Sequence, residues 1–221
     1  MKLSLTLAHC SGTCLLLLVS NLLLWENVAS MPQTQLPAKD LYGRVIFLSH
    51  CNHNLATQVY FEFVEKIARR SGNMGMMFVM CHTASIPTPE NREQVQRTKT
   101  EDLLKMIIRI SLAWEEPLKV LGQELAALPG ASDGMLSNIK TLEERNEAIV
   151  EGTETILSRL QPGAVEKEYV AWSGKNDLQS ADARTRVAAL RNVLRCLRRD
   201  THKIDNFFKV LKCRVVRNNN S

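Results

Sequence analysis

Residues 196–213 read CLRRDTHKIDNFFKVLKC and lie in the most regular apolar pattern of the chain. From Asp182 to about Val215, apolar residues recur at alternating intervals of three and four, which is the spacing of one face of an α-helix. Thr201 is the single polar member of this seam, whose apolar members are Val187, Leu190, Leu194, Leu197, Ile204, Phe208, Leu211 and Val215. The stretch therefore predicts a long amphipathic helix that packs against a core.

Three earlier segments show the same period, and no segment alternates convincingly in the manner of a strand. They run from Asp40 to Arg70, from a capping-box pattern at Thr98–Glu101 to Leu128, and from Gly134 to Gln161. Pro117 should kink the second helix, because its ring removes a helix hydrogen bond. The pattern predicts an all-α protein with four main helices.

The lengths of the connections predict the topology. Only a short turn follows Leu128, so the second and third helices must be antiparallel neighbours. The links at 71–97 and 162–181 are long, and about 20 extended residues reach roughly 65 Å, enough to return along a whole helix. We therefore expect an up-up-down-down four-helix bundle with two long crossover loops, the layout of hormone and cytokine bundles.

The amino-terminal segment is typical of an export signal. Lys2 precedes a leucine-rich run, and small residues at 28–30 provide a cleavage point. We expect residues 1–30 to be the signal peptide and residues 31–221 to form one four-helix domain of ordinary size, secreted and without membrane insertion. Removing the signal takes away only Lys2 and Glu26, so the net charge of +5 is kept. This moderate charge suits an acidic partner or a sulfated polysaccharide and does not require nucleic acid.

Four cysteines follow residue 30, and helix geometry restricts their pairing. Cys196 and Cys213 lie roughly 25 Å apart on one predicted helix, whereas bridged cysteines need Cα atoms within about 7 Å. In antiparallel helices of equal length, Cys51 and Cys213 would lie roughly 15 Å apart. A bridge from Cys81, in the first crossover, to Cys196 is the remaining sensible pairing. Cys51 and Cys213 are then expected as thiols without an obvious disulfide partner.

The quoted stretch closely resembles the fourth-helix signature of the growth hormone and prolactin family. Four further runs share the resemblance: CHTASIPTPE from Cys81, WEEPL from Trp114, WSG from Trp172 and LSHCNHNL from Leu48. The similarity covers the whole chain after the signal and is closer to placental lactogen I than to pituitary prolactin. It implies a secreted, non-enzymatic ligand without a cofactor, which brings two chains of a prolactin-type class I cytokine receptor together. The family also pairs the cysteines that correspond to Cys81 and Cys196.

The resemblance places the first receptor face on the first and fourth helices, with His50, His53, Arg199, His202, Lys203 and Lys209 as its members. His50 and His53 share one face of a helix, and His202 should lie at about their level in an antiparallel neighbour. Such a cluster would make binding sensitive to pH between about 5 and 8. Related hormones hold zinc at this interface, so a zinc ion at His50 and His53 is a weaker expectation.

The resemblance places the second receptor face at Gly152, in the middle of the third helix. A glycine there costs roughly 1 kcal/mol relative to alanine, which calls for a reason. Close packing inside the bundle is one reading. Its helical neighbours Arg145, Ala148, Thr155 and Arg159 are small or polar, so we expect an outward flat patch instead.

The end of the chain departs from the family. Relatives usually end in a cysteine that pairs with the position of Cys213, whereas this chain ends Asn-Asn-Asn-Ser221. Cys213 and Cys51 are therefore expected to be reactive thiols, and Asn219 begins a glycosylation pattern.

An enzyme and a polysaccharide-binding protein are the two alternatives to a hormone. An enzyme has little support, because no di-iron Glu-x-x-His pair, phosphate loop or metalloprotease motif occurs. A divergent relative that binds heparan-type polysaccharide without activating a receptor is the stronger alternative. It rests on the eleven Lys and Arg residues between Arg184 and Arg217, which face only two acids.

Overall fold

The computed structural model describes residues 37–70, 79–165, 167, 169–172 and 174–218. The expected signal peptide and the glycosylation pattern at Asn219 lie outside these residues. From Leu41 onward the bundle described below belongs to one compact unit, residues 41–221. None of the described helices has the length and apolar character needed to cross a membrane.

Seven α-helices form the described part of the chain, and no described residue lies in a strand. We number them α1 (Ala38–Phe63), α2 (Arg92–Arg97), α3 (Thr100–Leu112), α4 (Glu115–Ala126), α5 (Asp133–Leu160), α6 (Lys175–Leu178) and α7 (Ala183–Asn218). A π-helical turn, Val64–Ala68, continues α1, and a short 3-10 helix, His82–Ser85, lies in the first crossover.

Contacts between α1 and α7 show that these two helices are antiparallel. The rings of His53 and His202 have centroids 4.8 Å apart. Further along α1, the Tyr60 ring lies 5.5 Å from the guanidinium of Arg198, which precedes His202. Moving forward on one helix therefore means moving backward on the other.

The remaining helix pairs complete the topology. The Asn146 amide donates to the Ser111 carbonyl at 2.9 Å, and a Cβ at Gly122 would lie 3.6 Å from Ile139, so α5 runs against α3 and α4. Ser132, at the start of α5, donates to Glu62 near the end of α1 at 2.9 Å. The predicted all-α, up-up-down-down bundle is confirmed.

The seam of α7 forms one side of the core, as its spacing predicts. All its apolar members from Val187 to Leu211 are buried, and Val215 is half-buried. Each large apolar side chain taken fully out of water contributes about 1.5–3 kcal/mol. The polar member, Thr201, is buried as well, and its hydroxyl donates to the Leu197 carbonyl one turn back at 2.9 Å.

The second main helix is interrupted where the sequence predicts a kink. The chain leaves α3 at Leu112 and resumes as α4 at Glu115, so Pro117 lies in the first turn of α4. Because proline has no N–H, the Ala113 carbonyl receives no helix hydrogen bond from position 117. The imidazole Nε2 of His82 lies 2.9 Å from that oxygen and fills the vacant position.

The capping box expected at Thr98–Glu101 is wrong. Lys99 occupies the position before α3 without a side-chain cap. The Thr98 hydroxyl instead donates backward to the Gln94 carbonyl at 2.8 Å, closing the short helix α2. The capping pattern cannot distinguish the start of one helix from the end of another.

A disulfide and several hydrogen bonds hold the first crossover against α7. Cys81 and Cys196 form the expected disulfide, with Cα atoms 5.6 Å apart and a sequence separation of 115. The chain-entropy model assigns a ring of this size a stabilisation of up to about 4–5 kcal/mol. Two residues further on, Thr83 is buried and its hydroxyl donates to the Asp200 carboxylate at 2.6 Å.

Asp200 is the centre of a buried polar cluster. Its carboxylate, 1% exposed, also accepts hydrogen bonds from the Trp114 indole at 3.0 Å and from the Arg199 guanidinium at 2.8 Å. The donors come from the first crossover, from the break between α3 and α4, and from α7 itself. The cluster therefore fixes three parts of the chain at one point.

We predict that Asp200→Ala lowers the unfolding free energy by about 3–5 kcal/mol, because it leaves the buried donors and a guanidinium without their acceptor. Asp200→Asn keeps one carbonyl acceptor and should cost about 1–3 kcal/mol. Urea unfolding followed by helical circular dichroism measures both. Asp177→Ala, at an exposed acid of α6, is the control. A loss below about 1 kcal/mol for Asp200→Ala would contradict the assignment.

Candidate functional site

Three histidines meet on the surface between α1 and α7. His53 is half-buried, its ring lies against His202, and its Nδ1 is 3.4 Å from the Thr201 hydroxyl. His50 and His202 are exposed, and each has an asparagine amide within 3.2 Å of its Nε2, from Asn54 and Asn206 respectively. The antiparallel helices thus bring the three rings to one level, as expected from the sequence.

A buried carboxylate lies behind these rings. Asp205 is 1% exposed, and its Oδ2 is 2.6 Å from the Lys209 ammonium and 3.5 Å from Nδ1 of His50. Among the described residues neither carboxylate oxygen accepts a hydrogen bond of good geometry. The Lys209 contact is therefore an ion pair with poor angles, and the His50 contact is an ion pair only when its ring is protonated. We call His50, His53, His202, Asp205 and Lys209 the histidine face.

Sequence reasoning missed Asp205, although a signal for it was present. It is one of only two acids in the basic final helix, and it lies three residues after His202 and four before Lys209. Residues at these spacings share a helix face. A lone acid at such positions is a candidate partner for both neighbours.

The half-buried position of His53 has an electrostatic consequence. Burial, and then the neighbouring His202, lower the pKa of His53 below its usual 6.5, although Asp205 acts in the opposite direction. His53 is therefore neutral at pH 7. A neutral ring can accept as well as donate a hydrogen bond, which an imidazolium cannot.

Two expected members of the first face lie elsewhere. The Arg199 guanidinium donates to Asp200 and to the Thr83 hydroxyl at 2.6 Å, and the Lys203 ammonium donates to the Thr88 hydroxyl at 2.9 Å. Both side chains therefore bind the first crossover rather than join the histidines. Burial, and then Arg199, lower the pKa of Lys203.

A groove of about 1290 Å³ separates the first crossover from α7. Residues 86–92 of the crossover form one wall, and Lys203, Val210 and Cys213 contribute to the other. Arg214 closes one end, donating to the carbonyls of Gln96 and Thr98 at 2.9 and 2.7 Å. His202 and Lys209 belong both to this groove and to the histidine face, so the two surfaces are continuous.

Within the described ranges two cysteines, Cys51 and Cys213, lie outside the disulfide, and they differ in accessibility. Cys213 is exposed in the groove, whereas Cys51 is buried in α1 with 8% exposure. Thiol reactivity requires access to the sulfur. The expectation of a reactive thiol therefore applies to Cys213 much better than to Cys51.

The expected outward patch at Gly152 is wrong. Gly152 is buried, and a Cβ built on it would lie 2.5 Å from Cγ2 of Val45 on α1. The glycine thus lets the backbones of α5 and α1 approach closely, so the close-packing alternative is the correct one. Arg145, one of those neighbours, is itself only 8% exposed. Polar neighbours therefore do not show that a helix face points to solvent where two helices approach this closely.

No three His, Cys, Asp or Glu side chains within the described ranges are grouped closely enough to hold a metal ion. A zinc ion at His50 and His53, completed by ligands from a bound partner, stays a prediction.

Known proteins similar to this chain agree with the architecture. The model of the somatotropin hormone family matches residues 17–220. The chain is 53% identical to prolactin-3B1 of Mesocricetus auratus over 220 residues and to prolactin-3B1 of Mus musculus over 221 residues, in each case covering 100% of both chains. It is 49% identical to prolactin-3D1 of Mus musculus over 219 residues, or 98% of each chain.

These similarities define a class of helical polypeptide hormones, not of enzymes. The chain belongs to the somatotropin hormone family, on its prolactin and placental lactogen side. Hormones of this family are secreted and act on cytokine receptors.

We predict that Gly152→Ala lowers the unfolding free energy by about 1–2 kcal/mol, because overpacking against Val45 outweighs the gain in helix propensity. Adding Val45→Ala should relieve the clash. The unfolding free energy of the double variant should then be about 1–2 kcal/mol higher than the sum of the two single changes predicts. Denaturant unfolding of the four proteins measures this coupling.

Gly43→Ala provides the matched control, because this helical glycine of α1 is exposed and a Cβ there meets nothing within 4 Å. It should stabilise the protein by about 0.5–1 kcal/mol. If Gly152→Ala stabilised the protein to the same degree, the close approach of α1 and α5 would be disproved.

Proposed function

We propose that this protein is a secreted, placental-lactogen-like hormone that binds a prolactin-type class I cytokine receptor and brings two receptor chains together. The observation that carries the proposal is the histidine face, formed by residues far apart in sequence that match the receptor-binding pattern of the family. The first receptor chain would bind this face and the adjoining groove. The second would bind at the seam of α1 and α5, near Gly152.

The chemistry of the histidine face suits a protein partner. His50 and His202 present exposed rings, and Asp205 and the two asparagine amides behind and beside them restrict their orientation. A partner that covers the surface therefore meets oriented groups, which lowers the entropy lost on binding. Lys209, 54% exposed at its side chain, adds a positive charge for an acidic residue of the receptor.

Arg199 and Lys203 support the proposal through the groove rather than through direct contact. Their bonds to Thr83 and Thr88 fix the crossover wall beside the histidine face. A wall held in place before binding keeps a groove open for the receptor. In this proposal the two residues position the surface and contribute little contact of their own.

Intramolecular contacts of the basic residues of α7 weaken the case for polysaccharide binding. Its basis is the basic run of α7, yet most of these side chains bind the protein itself. Those with intramolecular partners include Arg186, Arg195, Arg198, Arg199, Lys203, Lys209 and Arg214. A polyanion would have to compete with these bonds, so we favour the receptor ligand.

We predict that His50→Ala and His202→Ala each lower the affinity for the immobilised receptor ectodomain about tenfold, equivalent to about 1.4 kcal/mol. Surface plasmon resonance at pH 7.5 measures the effect. Lys140→Ala, at an exposed position of α5, should leave the affinity unchanged. Wild-type affinity in both histidine variants would exclude the histidine face as the binding surface.

We further predict that Gly152→Arg retains binding of one receptor chain but abolishes signalling in receptor-expressing cells, because a long side chain would fill the seam of α1 and α5. Gly134→Arg, at an exposed glycine in the first turn of the same helix, should signal normally. Circular dichroism should show that both variants keep their helices. Unchanged proliferation with Gly152→Arg would contradict a second receptor face at this seam.

A further inference from the structure

Arg145 is a buried cation without an anionic partner. It lies in the middle of α5 with 8% exposure, and its Nε has no hydrogen-bond partner. Within the described ranges no residue forms an ion pair or a hydrogen bond with its guanidinium. Two acids of the same helix, Glu144 and Glu154, pair with lysines instead. Removing a charge from water is unfavourable unless a counter-charge and hydrogen bonds replace the water, so this position calls for an explanation.

The register of the helices places Arg145 in the seam of α1 and α5. Gly152 lies against Val45, and the hydrogen bond between the start of α5 and the end of α1 shows that the two helices are antiparallel. Arg145 lies seven residues before Gly152, which is two turns along the same face. Two turns after Val45 on α1 comes Asn52. Arg145 and Asn52 therefore lie at one level of the seam.

Asn52 is a second polar side chain without a partner at this level. It is 3% exposed, and its Oδ1 accepts no hydrogen bond from a described residue. The Nε–H of Arg145 and this oxygen are complementary, so a small rotation of the side chains could join them. Such a bond would leave the positive charge uncompensated, because an amide is neutral. Only an anion from outside the described residues can balance Arg145.

The guanidinium offers its free donors to the surface of the seam. Its Nε is fully buried, whereas the two Nη nitrogens keep contact with solvent. A carboxylate that covers the seam can accept hydrogen bonds from both Nη nitrogens side by side, which is the strongest pairing available to arginine. A neutral or cationic group at the same place would leave the charge buried and unpaired. The chemistry of the seam therefore selects an acidic partner.

We propose that Arg145 is the anion-binding group of the second receptor face and that it binds an aspartate or glutamate carboxylate of the second receptor chain. This inference rests on the proposed function and adds to it. Gly152 is buried and offers that chain no side chain, whereas Arg145 offers a charge that is paired only in the complex. A receptor chain without an acid at this place would bury the charge unpaired, so the seam discriminates between receptors.

Unfolding of the free protein tests the unpaired charge without a receptor. Arg145→Met keeps an unbranched apolar stem and removes the charge, so the urea midpoint should stay the same or rise. Arg199→Met is the matched control, because the Arg199 guanidinium is bonded to Asp200 and Thr83. Its midpoint should fall. A lower midpoint in Arg145→Met would show that the guanidinium is compensated within the fold, and it would overturn the proposal.

The stoichiometry of receptor binding tests the partner. The prolactin-type receptor ectodomain, added in excess, is followed by light scattering for the size of the complex and by surface plasmon resonance for each affinity. Arg145→Met should bind the first chain normally and the second at least about tenfold more weakly. Arg145→Glu should form only the complex with one chain, and Arg145→Lys should bind the second chain with intermediate affinity, because lysine keeps the charge but not the fork. Lys140→Met, at an exposed position of the same helix, should bind both chains normally.

The possible failures of the inference and of the proposed function can be distinguished. Normal affinity of Arg145→Met for the second chain, while the parent protein binds two chains, would overturn the inference alone. A parent protein that binds no second chain would contradict the proposed function, and the carboxylate partner would fall with it. Retention of the parent protein but not of Arg145→Met on heparin, with the affinity for the second chain unchanged, would assign the site to a sulfated polysaccharide and overturn the proposal.

Discussion

Burying a carboxylate in a helical bundle costs several kcal/mol unless donors replace the water it loses. Asp200 meets this condition with donors from Thr83, Trp114 and Arg199. The condition can be satisfied only when the first crossover, the break in the second helix and α7 are all in place. The Cys81–Cys196 bridge lies one helical turn away and holds the same crossover. The hydrogen bonds of Asp200 and the disulfide thus hold the first crossover in one position. The sequence of the crossover alone would not define that position.

The two acids of α7 have different roles because they lie on different sides of the helix. Asp200 and Asp205 are equally buried, but five residues of helix turn them to different sides. Asp200 faces strong hydrogen-bond donors and stabilises the fold. Asp205 has only an ion pair of poor geometry with Lys209 and a contact with the His50 ring, and these partners are themselves exposed. Its charge is thus available to orient the surface groups that we propose as the receptor contact.

Much of the fold could be predicted because its determinants are periodic. The apolar seam of α7, the lengths of the two crossovers and the spacing of the cysteines are all properties of one sequence, and they led to the observed bundle and disulfide. The orientation of Gly152 and the burial of Asp205 could not be predicted in this way. Whether Gly152 faces Val45 or solvent depends on how closely two helices approach, and whether Asp205 is buried depends on the side chains that cover it. Neither is encoded in local spacing.

The close approach of α1 and α5 also bears on how a ligand could present two faces. Val45, against Gly152, and His50, on the histidine face, lie on the same helix, roughly 7.5 Å apart along its axis. Because α1 has tertiary contacts on both sides, it cannot shift toward one helix without losing contact with the other. In the proposed function the two receptor chains would therefore meet faces held at a fixed separation by one helix. Binding at the first face would then position the second chain through rigid geometry, with no change in the shape of the hormone required.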